Sequence, residues 1–259
     1  MPVVESRDNP PLRRLARPAG GTIAYHKLDG RSPTVMFLTG YRSDMSGGKA
    51  LALEALCKRR GQAYLRFDYS GHGQSSGRFE DTVISDWLGD ALLALDSLTT
   101  GPVILVGSSL GGWIMLLVAK RRPDRIKGLV GIAAAPDFTE DLMWRNFSAE
   151  QRNVLMRDGI VHLPSEYDPT PTPVTLALIE DGKANLLLTG SIPFDGPVRL
   201  IHGLSDPDVP WQTSMRIKDG LTSGDVEITL VKGAGHRLSE LQDLERMCET
   251  VARLCDRFG

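Results

Sequence analysis

The sequence predicts an α/β fold with a mostly parallel central sheet covered by helices on both faces. Two observations point there. Apolar runs of strand length alternate with helix-patterned segments from residue 21 onward, which is the signature of βα units. The segment Val103–Val106 is short, wholly apolar and flanked by glycine turns, as a strand buried on both faces should be.

The elements follow in order. A first strand is expected at 21–28 and a second at 34–38, ending in Thr39-Gly40. A helix over 48–60 precedes a strand at 63–67, which runs into the glycine-rich loop DYSGHGQSSG. The spacing of Trp87, Ala91, Leu92 and Leu95 predicts the next helix. The strand at 103–106 leads into a helix over 110–120, and a strand at 126–132 follows. The rhythm then changes. Residues 137–193 hold no strong central strand, only helical stretches near 139–157 and 174–187 separated by the proline-rich PSEYDPTPTP. Alternation resumes with a strand at 198–201, a helix at 210–219, a strand at 226–231 and a last helix over 238–258. The expected organisation is a loose leader at 1–20, a core made of 21–136 and 194–259, and a small helical lid at 137–193 inserted between two core strands. Inserted segments of this kind cover sites.

Composition narrows the function. The chain has 259 residues, 41% hydrophobic and 24% charged, with a formal net charge of -2. No basic face argues for nucleic acid, and no apolar run approaches the ~18 residues of a membrane span. Cys57, Cys248 and Cys255 form no CxxC pair and read as buried small hydrophobes in a reducing compartment. The leader carries several arginines but also Glu5, Asp8 and four prolines, and lacks an apolar signal core. A cytoplasmic protein is the expectation.

The chemistry centres on GSSLGGW at 107–113. An apolar strand enters G-x-S-x-G and a helix leaves it, the context a nucleophile elbow requires. Ser109 is the expected nucleophile, with Gly107 and Gly111 providing room for a sharp turn. A serine hydroxyl needs a base. Of the five histidines, His236 in GAGH lies between the last strand and the last helix, which fits the chain order serine, acid, histidine. The acid is expected in LIHGLSDPDVPW: Asp206 is chosen and Asp208 is its rival, the loser capping the helix near Pro210. His202 is expected to pack or bond beneath this acid loop and His72 to brace the site. His26 and His162 have bland readings, although His162 could touch substrate. Two backbone donors are expected at an oxyanion hole, the N–H of Leu110 and the N–H of Tyr41 in the Thr39-Gly40-Tyr41 turn. Trp113 and Trp211 are substrate-pocket candidates because each adjoins a triad residue in sequence. Trp144 and Phe147, with other apolar lid residues, either line an acyl pocket or pack on the core. Arg145 and Arg152 either meet an anionic group or are solvated.

The stretches GYRSDMSGGKALALE, RFDYSGHGQSSG, ILVGSSLGGW and IHGLSDPDVPWQTSM resemble the α/β-hydrolase superfamily. More narrowly, they resemble its palmitoyl-protein thioesterase or acyl-glucuronide esterase group. The resemblance implies the α/β-hydrolase fold and a triad of Ser109, Asp206 and His236. The expected activity is hydrolysis of a carboxylic ester or thioester through an acyl-enzyme, with no cofactor and no metal. Its substrate would be a small or acylated molecule, an acyl glucuronide or an S-acylated protein, and the chain a monomer or dimer. A C–C bond hydrolase, a lactonase, or a non-catalytic binding protein on the same fold are the alternatives.

Overall fold

The computed structural model describes residues 10–164 and 170–258. Eight strands form one sheet in the order β1-β2-β4-β3-β5-β6-β9-β10. Its members are β1 (Arg13–Ala16), β2 (Thr22–Leu28), β3 (Arg31–Leu38), β4 (Gln62–Phe67), β5 (Val103–Ser108), β6 (Ile126–Ile132), β9 (Val198–Gly203) and β10 (Val226–Val231). From β4 to β10 every neighbour is parallel, while β1–β2 and β2–β4 are antiparallel. A parallel pair needs a crossover, and helices supply it: α1 (Gly48–Arg60), α2 (Ile84–Leu98), α3 (Leu110–Arg121) and α6 (Gln212–Gly220), while α7 (Leu241–Cys255) follows the last strand and packs on the sheet.

The strands alternate between two cores. Met36, Leu38 and Leu105 face one side with Trp87, Ile114 and Met115, whereas Val35, Phe37, Ile104 and Val106 face the other with Leu53, Met247 and Val251. All of these side chains are buried, each contributing roughly 1.5–3 kcal/mol of transfer free energy. Arg66, on the second face, is neutralised at 2.6 Å by buried Glu54 and donates to the Met45 carbonyl.

Two expectations change. The leader is not wholly loose: β1 pairs with β2 from Arg13↔Tyr25 to Ala16↔Thr22, while residues 1–9 lie outside the described residues. An edge strand needs only one partner and one buried face, so Leu15 among exposed arginines is a weak signal. The inserted segment is also not wholly helical. After a π-helical turn (Thr139–Met143) and a 3₁₀ turn (Trp144–Asn146), the chain starts afresh in α4 (Ala149–Asp158), where Ser148 and Gln151 form a reciprocal cap. Then β7 (Ile160–Leu163) pairs antiparallel with β8 (Thr172–Thr175), and only afterwards comes α5 (Leu176–Ala184). Pro173 and the β-branched Val174 and Thr175 hold β8 extended, and the Thr175 hydroxyl caps α5. Residues 165–169 of the proline-rich segment lie outside the described residues.

The base of the insertion is closed by one side chain. Asp137 follows β6 with a left-handed φ of 60°. Its two carboxylate oxygens accept the N–H groups of Leu187 and Leu188, each at 2.8 Å. Burial raises its carboxyl pKa, and these two bonds oppose the rise.

Candidate active site

Three loops at the carboxyl ends of β5, β9 and β10 converge. β5 ends at Ser108, and Ser109 turns the chain into α3 with φ 53° and ψ −117°. That backbone position is costly for a residue with a Cβ. The Ser109 N–H donates to the Ile132 carbonyl, and the Ser109 carbonyl accepts from Ala135 and Gly112, fixing the turn on three sides. Glycine is required around it. A Cβ on Gly107 would sit 2.3 Å from the Gly111 carbonyl oxygen, and one on Gly111 2.0 Å from the Leu38 oxygen. Strand, helix and neighbouring strand can approach this closely only without side chains.

The geometry joins the three residues expected from sequence. His236 Nε2 lies 3.0 Å from Ser109 Oγ, and His236 Nδ1 lies 2.8 Å from Asp206 Oδ2. The Asp206 side chain is fully buried and that of His236 is 15% exposed. Asp206 Oδ1 accepts the N–H groups of Asp208 and Val209 at 2.9 Å each. His202, wholly buried, places Nε2 3.2 Å from the same Oδ2 that receives His236. Its two nitrogens also engage the Val209 carbonyl and Ser214 Oγ. Burial alone would raise the Asp206 pKa, but the bonds from His202, His236 and Val209 outweigh it and hold the carboxyl well below the usual range. The result is a carboxyl group that favours its ionised form, 2.8 Å from His236 Nδ1.

Asp208 is exposed. The residue preceding α6 is Trp211, which makes no side-chain cap bond. Asp206 Oδ1, bonded to the N–H groups of Asp208 and Val209, forms an Asx-type turn ahead of that helix. Asp206, Asp208 and His236 place one ligand atom each within 4.8 Å of one another, the one such cluster among the described residues. Both His236 ring nitrogens are already engaged there, so a cation would have to displace those bonds.

The Tyr41 N–H has no acceptor among the described residues, and Gly40 lies directly against the elbow: a Cβ there would come 3.5 Å from Ser109 Cβ. Leu110 opens α3, where first-turn N–H groups are free of helix partners. A cleft of about 860 Å³ runs over Ser109 and His236, within the range of small-ligand sites. Phe138, Leu142, Met143 and Leu163 are among its apolar lining residues, and Arg42 and Lys49 among its charged ones.

None of the four aromatic pocket candidates lines this cleft. Trp113 is fully buried, edge-on to Phe138, with Nε1 donating to the Asn185 carbonyl. These two contacts place it against the insertion rather than in the cleft. Phe147 is buried in the core. Trp144 packs on Phe147 and lies under the cations of Arg152 and Lys183. Trp211 starts α6, outside the cleft. Nearness in sequence to a triad residue does not carry a side chain to the same face of the loop. Arg145 pairs with Asp141 at 2.7 Å, and Arg152 bonds the Trp144 carbonyl. His72 is buried against Tyr69, Phe79 and Trp87. His162 is exposed on β7, His26 bonds the Pro10 carbonyl, and the three cysteines are free thiols whose pKa values burial raises.

Comparison with known proteins decides the family. Residues 35–254 match the model of the alpha/beta hydrolase family. The chain belongs to that family. Among curated members, the human palmitoyl-protein thioesterase ABHD10, mitochondrial, is 40% identical over 254 residues, spanning 98% of this chain and 83% of the relative. The bovine protein of that name is 40% identical over 246 residues, 95% and 80% of the two chains. Of solved structures in the family, mouse alpha/beta hydrolase domain-containing protein 10 superposes with a TM-score of 0.89 at 38% identity, covering 96% of this chain and 100% of that one. The relatives named as mitochondrial overturn the expectation of a cytoplasmic protein. The mixed composition of a twenty-residue leader does not decide an address. No helix among the described residues is long and apolar enough to cross a membrane.

Proposed function

We propose that this member of the alpha/beta hydrolase family hydrolyses acyl thioesters or esters, with Ser109 as nucleophile, His236 as general base and Asp206 as its orienting acid. The observation that carries the reading is the His236 ring, bonded through one nitrogen to Ser109 Oγ and through the other to a buried, ionised carboxylate. Asp206 holds the tautomer with Nδ1–H, leaving Nε2 to take the serine proton. Ser109 attacks the acyl carbon, and the negative charge formed on its oxygen is received by the N–H groups of Tyr41 and Leu110. His236 returns the proton to the leaving group, and water repeats the sequence on the acyl-enzyme.

The cleft divides the substrate. The apolar residues that the insertion contributes to the lining suit an acyl chain, and the charged residues of the lining suit a polar leaving group. The thioesterase name carried by relatives at 40% identity favours a thioester, including an S-acylated protein, as the acyl donor. A fluorophosphonate probe should label the wild-type chain, and Ser109→Ala should abolish both labelling and p-nitrophenyl ester turnover. A folded wild-type protein that resists the probe would sink the assignment. A panel of acyl thioesters, oxygen esters and acyl glucuronides, ranked by kcat/KM, names the donor.

A further inference from the structure

The loop that offers the Tyr41 N–H is gripped by the insertion through its own side chains. Tyr41 Oη donates to the Pro173 carbonyl at 3.2 Å. Arg42 Nη1 lies 3.0 Å from Thr172 Oγ1, 3.3 Å from the Thr170 carbonyl and 3.4 Å from the Pro171 carbonyl. These partners are 128 to 132 residues away in sequence. The Tyr41 ring is held from the core side as well, edge-on to Phe79 at 4.9 Å and to Phe138 at 5.4 Å. Burial raises the phenol pKa, so the hydroxyl remains a donor across the working pH range. Arg42 itself has a φ of 52°, a conformation that a residue with a Cβ keeps only when its surroundings hold it. The acceptors belong to the segment entering β8, and Thr172 and Leu163, on the paired strands, also wall the cleft. One segment therefore both lines the cleft and holds the oxyanion loop.

We propose that the insertion sets the oxyanion hole: Tyr41 and Arg42 are positioning residues through which residues 170–173 aim the Tyr41 N–H at the oxygen forming on the Ser109 adduct. The proposal rests on the reading of Ser109 as nucleophile and Tyr41 as oxyanion donor. An interaction used only as that charge forms acts on kcat and leaves KM in place.

The test compares Tyr41→Phe, Arg42→Met and Thr172→Val with wild type on p-nitrophenyl acetate and decanoate. A sub-ångström misalignment of the donor should lower kcat about tenfold in Arg42→Met and about threefold in Tyr41→Phe. KM should stay within about twofold, and the loss should be equal for both acyl lengths. Thr172→Val keeps the side-chain volume and removes one acceptor, so it stays informative if Arg42→Met misfolds; added to Arg42→Met, it should cost nothing more. Unchanged kcat in Tyr41→Phe and Thr172→Val overturns the proposal. So does a loss confined to KM and to decanoate, which is the mark of a pocket wall alone. A wild-type chain that turns over no ester and leaves Ser109 unlabelled overturns the hydrolase reading as well, whereas active wild type with unchanged variants overturns this inference alone.

Discussion

Replacing Asp206 by asparagine exchanges one acceptor for a donor at a site built entirely of donors. The two backbone N–H groups from Asp208 and Val209 can keep their bonds to the remaining oxygen. The new NH2 then faces His236 Nδ1 at 2.8 Å and His202 Nε2 at 3.2 Å. His236 can meet it only as an acceptor, which moves its proton to Nε2 and leaves nothing to receive the hydrogen of Ser109. Loss of the productive tautomer should cost about ten-thousand-fold in kcat, or about 5 kcal/mol of barrier. Asp208→Asn gives the contrasting magnitude. Its carboxylate lies within 4.8 Å of the His236 ligand atom but is exposed. A unit charge at that range in water is worth ~1 kcal/mol, which limits the loss to about fivefold, and less as salt is added. Saturating p-nitrophenyl ester assays on both variants, with folding checked by thermal melting, read the difference. A larger loss in Asp208→Asn, or a loss below tenfold in Asp206→Asn, would refute the assignment of the acid.

Two further outcomes concern the scaffold. Burial pushes His72 down to about 4 against the opposing Ser70 carbonyl, Asp90 and Asp44, below the 6.5 of an unhindered histidine. The unfolded chain therefore binds more protons between these values, and stability falls as pH drops through this window, by about 2 kcal/mol from pH 7 to pH 5. Urea midpoints of His72→Phe should depend less on pH over that interval than those of wild type; parallel profiles would contradict the buried neutral ring. Gly111→Ala places a methyl 2.0 Å from the Leu38 carbonyl oxygen, in backbone that cannot rotate away. A loss of about 3 kcal/mol, roughly 10 °C in Tm, is expected, and Gly190→Ala, which meets nothing within 4 Å, should melt like wild type.

The sheet was legible because short apolar runs such as Val103–Val106 alternate with helix-patterned segments. β6 and β10 and the helix α1 lie where the spacing put them. Ser109 and His236 could be read from chain order because this fold fixes the strand ends on which they sit. The pocket walls could not. Trp113 and Trp211 adjoin triad residues in sequence, but their direction depends on how α3 and α6 pack against other elements. The grip of Thr172 on Arg42 joins residues 130 apart, a contact no local pattern encodes. β8 was hidden for another reason: four residues of Thr, Pro and Val before a helix leave no period to detect. Asp206 was set apart from Asp208 by position, Asp208 lying nearer the helix that starts near Pro210, and family likeness pointed the same way.

The paired bonds from Asp137 to Leu187 and Leu188 bring the entry and exit of the insertion together on a single buried carboxylate. β6 and β9 are themselves paired from Leu129↔Val198 to Ile132↔Ile201, outside the insertion. The segment between is in this sense a cassette. A graft of another family member's insertion between Asp137 and Leu187 should leave the strands leading to Ser109, Asp206 and His236 in place. Any graft must bring its own counterpart to Thr172 and Pro173, or the new cover would bind its acyl chain over a slack oxyanion loop.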